Sequence, residues 1–207
     1  MKKNKVDLSK VEELYSENIE KFGINSKSVG WTTLEGQVLR FQKLLEVIED
    51  KSNSFSVNEL GCGYGELFNY LVLNDLKISE YNGYDISDKM LNAARKYITD
   101  SRVHFIKNSA VNKISDYSIT SGIFNVRFQT TEEQWTEYII SILNNMNEFS
   151  KKGFSFNLLT NYVDYKEAHL YYGDPIFFFD YCKKNFSKKV SLLHDYEMWE
   201  WTIVVKK

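Results

Sequence analysis

Two cysteines, three histidines and no surplus of positive charge exclude several kinds of protein at once. Cys62 and Cys182 are too few for a disulfide framework. No apolar run approaches the roughly 18 residues of a membrane span, so neither a transmembrane helix nor a membrane partner is expected. The basic start, Met1-Lys2-Lys3-Asn4-Lys5, runs into Asp7 with no apolar stretch behind it, unlike a signal peptide. The expected location is the cytoplasm. A net charge of −2 lacks the basic excess of polyanion binders, which argues against nucleic acid as the main partner. Lys183-Lys184 and Lys188-Lys189 read as a solvated charged face. A length of 207 residues fits one domain, or one domain with an added segment.

The stretch that organises the chain is Val57-Asn58-Glu59-Leu60-Gly61-Cys62-Gly63-Tyr64-Gly65-Glu66. It reads as a strand that ends on an acid, a glycine turn, and a helix from about Glu66 to Leu73. Glycine at alternate positions permits φ > 0 and lets a ligand approach bare main chain. The helix behind offers unpaired N–H groups. A dinucleotide fingerprint would place a third glycine where Glu66 stands. Glu59 and Glu66 together would repel a pyrophosphate and suit a ligand with positive charge. S-adenosylmethionine, with its sulfonium and ammonium, fits. The next strand, Tyr81 to Ser87, ends on Asp85, where a carboxylate can accept from both ribose hydroxyls. Ser87 reads as the N-cap of a helix with Met90 and Leu91 on its inner face.

Glu59-Leu-Gly-Cys-Gly-Tyr-Gly65, followed by Tyr84-Asp85-Ile-Ser-x-x-Met-Leu-x-x-Ala-Arg95, resembles the class I S-adenosylmethionine-dependent methyltransferases. The resemblance implies an α/β fold: a Rossmann-like, seven-stranded, mostly parallel sheet with an antiparallel last strand, flanked by helices. Residues 51–207 would form that domain. Residues 1–50 would be an N-terminal helical extension of the same domain and a candidate lid.

The rest of the chain agrees with that order. Val11, Tyr15, Ile19 and Phe22 form a helical stripe closed by Gly23. Leu34, Val38, Phe41, Leu45 and Ile48 form a second, over about Thr32 to Glu49. Further strands are expected at 102–106, at 117–125 with its exit loop, and at 153–159. A helix is expected from Thr131 to Phe149. Asp174-Pro175 reads as an N-cap and first helical residue. The dense aromatics that follow, Phe177 to Phe179, read as core. A hairpin over 190–205 ends the chain.

For the cofactor, the resemblance points to Gly61, Cys62, Gly63 and Gly65 in the turn, Glu59 at the turn or the ammonium, Asp85 at the ribose, and Ile86 against adenine, with Met90 beside it. Asn108 and Ser109 stand where the family commonly has an adenine-binding acid. Ser121 to Asn125 should face the reacting methyl. Arg40 reads either as a partner for the methionine carboxylate or as a surface arginine, and Gln37 as solvated. For the acceptor, Phe124 is a candidate wall, Asn125 an orienting group, Tyr162 a strand-end aromatic, and Trp31 a lid or packing anchor. His194 is the first candidate for a base because its ordinary pKa lies near neutrality; Asp164 is the second. Methyl transfer from a sulfonium requires no metal.

The segment after the fourth strand is not the Asn/Asp-Pro-Pro-Tyr/Phe type of many amino-methylating enzymes. The expected activity is therefore methylation of a small molecule, at oxygen, by in-line displacement. The alternatives are a protein or nucleic-acid methyltransferase, and a non-catalytic S-adenosylmethionine-binding module.

Overall fold

The computed structural model describes residues 6–207. Two N-terminal helices, α1 (Ser9–Phe22) and α2 (Leu34–Leu44), precede the sheet. Then follow β1 (Phe55–Leu60), α3 (Glu66–Leu73), β2 (Ile78–Asp85), α4 (Asp88–Tyr97), β3 (Val103–Lys107) and β4 (Ser115–Thr120). The second half contains α5 (Glu132–Glu148), β5 (Ser150–Thr160), β6 (Tyr172–Gly173), α6 (Pro175–Asn185), β7 (Lys189–Leu193) and β8 (Glu200–Lys206). The sheet order is β3-β2-β1-β4-β5-β8-β7, and β8 runs antiparallel between β5 and β7. The two-residue β6 pairs with the end of β5 and makes an eighth strand that the sequence did not suggest.

Side chains of alternate strand residues point to opposite faces, so each sheet face has its own core. Under α5 and α6 lie Leu60, Phe154, Phe156, Trp201 and Ile203. Under α2 and α3 lie Phe55, Val57, Ile119 and Val204. Phe178 is core as expected, whereas neighbouring Phe177 is exposed.

The second helix is shorter than its stripe predicts. It winds tighter into a 3-10 turn at Leu45–Val47 and leaves helical geometry at Ile48. Leu44, Leu45, Val47 and Ile48 are all buried. Four buried residues in five positions exceed one α-helical face, and the tighter turn rotates them all inward.

Of the helices that begin on side-chain caps, two have the expected ones, Ser87 and Asp174, and a third is capped by Thr131, expected inside the helix. The side chains of Ser87, Thr131 and Asp174 accept from the backbone N–H groups of Met90, Gln134 and Ile176. Ser87 Oγ also lies 2.7 Å from Ser16 Oγ, which ties α1 to α4. Ser87→Ala should therefore cost about 1 kcal/mol, read as a lower denaturant midpoint at unchanged slope.

Candidate active site

The turn after β1 brings the carboxyl edges of β1, β2 and β4 around one cavity, which the N-terminal helices cover. Gly61 and Gly63 have φ of 76° and 54°, the left-handed region that costs glycine least. A Cβ on Gly61 would lie 2.1 Å from Ile123 Cγ2, and one on Gly63 would lie 2.6 Å from Val29 Cγ1. Here the side chains of Ile123 and Val29 press on the bare backbone. Gly65 serves differently from expectation. It precedes α3 with φ 88°, packs beneath Ile98 and Phe105, and does not line the cavity.

Asp85 ends β2 and binds the turn to the next helix. Its Oδ2 accepts from Gly63 N and its Oδ1 from Ser87 N, both at 2.9 Å. Burial pushes its pKa up, opposed by the backbone hydrogen bonds from Ser87 and Gly63. Glu59 is buried and accepts a hydrogen bond from the Tyr81 hydroxyl. Burial raises its pKa to about 8, which the Tyr81 hydrogen bond opposes and the charges of Asp85 and Glu66 reinforce. The folded chain thus holds a proton that the unfolded chain releases. The stability this contributes is complete below pH about 4.5 and is lost as pH rises towards 8. Glu59→Gln should flatten that decline relative to wild type, as denaturation at pH 5, 6.5 and 8 (roughly spanning the window) would show.

Most of the sequence-predicted cofactor residues meet here. Glu59, Gly61, Cys62, Gly63, Asp85, Ile86, Met90, Asn108, Ser109 and Ser121 all line this cavity, as does Trp31. Ser121 Oγ is buried there without a hydrogen-bond partner among the described residues. This set fits S-adenosylmethionine: a carboxylate at the tip of the second strand, a buried hydroxyl, and acids that a bound cation can ionise.

Several lining residues were not anticipated as site residues, among them Tyr15, Tyr64 and Gln37. Tyr15 and Tyr64 read as helix-stripe and turn positions, and Gln37 as solvated. Gln37 is instead buried and accepts from the Tyr64 hydroxyl at 3.4 Å. Gln37 sits four residues before buried Phe41, and that spacing was the available signal.

A second cavity of about 340 Å³ adjoins the first and shares Tyr15, Val29, Trp31 and Gly122 with it. Asn125, Leu159 and Glu200 bring the carboxyl edge of β4 and β5 and the start of β8 into its wall. Gly122 (φ 74°) lies under the Trp31 indole, where a Cβ would come within 2.4 Å of the ring.

Arg40 belongs to this second cavity and does not line the first. Its Nε and Nη2 donate to the Glu200 carboxylate at 2.6–3.1 Å, and Nη1 donates to Gly36 O. The guanidinium stacks 3.7 Å from the Trp31 ring centroid. Both earlier readings of Arg40 fail on this pairing: it is neither a surface arginine nor free for the methionine carboxylate. Glu200 also accepts from Asn157 Nδ2, while Asn157 Oδ1 accepts from Gly122 N. Arg40 and Glu200 lie far apart in sequence, so local patterning carried no sign of the pair.

Four acceptor-side expectations are corrected. His194 is exposed and packs against the Tyr162 ring, and neither lines the first or the second cavity. The β7–β8 connection carries His194 outward instead of over the sheet edge. Asp164 is exposed in the loop after β5 and lines neither cavity. Phe124 is fully buried against Tyr138 and Phe156, so it is core, not an acceptor wall. Asn125 does face the second cavity; its Oδ1 accepts from Leu159 N at 3.4 Å.

Comparison with known proteins agrees with this geometry. Residues 58–147 match a family model described as "Methyltransferase domain". A protein of Mycobacterium tuberculosis (strain ATCC 25618 / H37Rv), named "Putative methyltransferase Rv1506c", is 42% identical over 163 residues. That alignment covers 77% of this chain and 98% of the relative. Magnesium protoporphyrin IX methyltransferase from Synechocystis PCC 6803, solved with bound SAH, superposes with a TM-score of 0.70 at 12% identity. The match covers 97% of this chain and all of that one. The DhpI-SAM-HEP complex superposes with a TM-score of 0.64 at 11% identity, covering 97% and 95%. At such identities the structural likeness speaks for the fold.

Proposed function

The chain belongs to the class I S-adenosylmethionine-dependent methyltransferases, and we propose that it methylates a small-molecule acceptor at oxygen, held in the second cavity. The observation that carries this reading is the common wall. Tyr15, Val29, Trp31 and Gly122 border both cavities, so a methyl group at the end of the first would stand beside an acceptor in the second. S-adenosylmethionine supplies a methyl group already activated on a sulfonium.

The protein's own task is then alignment and exclusion of water. Asp85 accepts from the ribose hydroxyls while its other lone pairs fix the turn at Gly63 and Ser87. Glu66, and Glu59 once a bound cation has drawn off its proton, favour the positive end of the cofactor. Asn108, Ser109 and Ile86 take the adenine side, and the orphaned Ser121 hydroxyl takes a polar group near the methionine. Asn125 orients the acceptor.

The first cavity has a free volume of about 100 Å³, below the roughly 300–1,000 Å³ of small-molecule pockets. Its cover must therefore move for the cofactor to enter. We assign that movement to residues 6–33, whose Val11, Tyr15, Val29 and Trp31 close it. The contacts of α1 to the rest include polar ones that open readily, such as Lys89–Glu20 and Lys107–Glu12. No described helix is long and apolar enough to cross a membrane; with two free cysteines, a cytoplasmic location is the reading we favour.

Calorimetry with S-adenosylmethionine and S-adenosylhomocysteine tests the first cavity. Hydrogen exchange with and without S-adenosylhomocysteine tests the cover. Residues 6–33 should gain protection on binding, and unchanged exchange there would refute the lid.

A further inference from the structure

We infer that the second cavity selects an acceptor that is uncharged, and discriminates against carboxylates, phosphates and ammonium groups alike. This rests on the proposed reading that the second cavity holds the acceptor.

The charge balance of its wall carries the inference. Among the described residues, Arg40 and Glu200 are the only charged ones that line it, and they face each other. Their side chains are 11% and 2% exposed, so water contributes little to either. The guanidinium gives Nε to both carboxylate oxygens, Nη2 to one of them, and Nη1 to the Gly36 carbonyl. The carboxylate also receives Asn157 Nδ2 at 3.0 Å. An anionic acceptor would find the Arg40 charge already balanced by Glu200, and taking Arg40 from Glu200 would leave a buried carboxylate unpaired. A cationic acceptor would have to take Glu200 from Arg40 and leave a buried guanidinium unpaired. Either exchange strands a buried charge, which is among the costliest changes available to a protein interior.

What the wall still offers is neutral. Asn18, Thr32 and Asn125 border the cavity, and the Asn125 amide nitrogen makes no hydrogen bond to protein among the described residues. Leu14, Leu159 and Met198 supply the apolar remainder. Neutral donors and acceptors among apolar groups recognise a hydroxyl on a compact carbon skeleton. They give an ion no counter-charge. The same wall explains why Arg40 is held so firmly: with Glu200 absent, it would become a free anion site.

The test compares three probes of one shape and different charge: benzyl alcohol, benzoate and benzylammonium. Protein saturated with S-adenosylhomocysteine is titrated with each into the millimolar range. Two-dimensional NMR follows the Trp31 indole N–H and the Asn125 side-chain amide. Benzyl alcohol should shift both signals and bind at least tenfold more tightly than either ion. If benzoate or benzylammonium binds as tightly as the alcohol, the neutral class is wrong, although the cavity remains a ligand site. If none of the three moves either signal while S-adenosylhomocysteine is bound, the cavity is not the acceptor site. That outcome removes the proposed location and leaves the cofactor assignment standing. Glu200→Gln adds an independent arm: Arg40 loses its counter-charge, and benzoate affinity should rise at least tenfold. Unchanged benzoate binding in folded Glu200→Gln would overturn the charge argument, and the wild-type comparison stands if that variant does not fold.

Discussion

Glu200→Ala is expected to destabilise the fold by about 3–5 kcal/mol, the cost of leaving one half of a buried ion pair without its partner. Arg40 would remain nine-tenths covered, with three of its hydrogen bonds removed. Asn157 would lose its acceptor at the same time, although its link to Gly122 N would persist. For a domain of this size the loss corresponds to roughly 10 °C in melting temperature. Charge burial is the cause, so replacing both partners should restore much of it. Arg40→Met with Glu200→Leu should melt well above Glu200→Ala. If the single variant melts within about 2 °C of wild type, under 1 kcal/mol on the same scale, the pair is not the buried anchor described above.

Asp85→Ala should weaken S-adenosylhomocysteine binding by about 3 kcal/mol, more than a hundredfold, by calorimetry. Two effects add. The ribose loses a charged acceptor, and the turn loses the two 2.9 Å bonds that hold Gly63 and Ser87 in place. Hydrogen bonds to charged groups contribute about 1.5–3 kcal/mol each, so a single ribose bond accounts for at least about tenfold. Asp85→Asn retains the shape and some of the acceptor capacity and should fall between the two. A loss below tenfold in Asp85→Ala would mean that the cofactor's ribose is held elsewhere.

The two halves of the site were unequally legible, for a physical reason. The cofactor half is built from short contiguous segments. A strand must alternate, a tight turn needs glycine at positive φ, and a helix start needs a cap. Each demand leaves its mark within about ten residues. Glu59 to Glu66 and Tyr84 to Met90 therefore announced both the turn and the carboxylate beside it. Register in a parallel sheet then brings β1, β2 and β4 side by side, so Asn108, Ser109 and Ser121 followed from their place after a strand.

The proposed acceptor half has no such local mark. Its wall combines residues from α1, the loop at Trp31, α2, the loops after β4 and β5, and the start of β8. A histidine beside the last hairpin invited a catalytic role, yet the direction of the β7–β8 connection turned it to solvent. Phe124 had the composition of a pocket wall and became core, because Trp135 Nε1 donates to its carbonyl and draws α5 down over it. Local spacing dictated the strand-turn-helix chemistry that holds a cofactor, because backbone geometry is set by near neighbours. Only the folded sheet decided that Arg40, stacked on Trp31, would pair with Glu200, because that contact depends on the antiparallel course of β8.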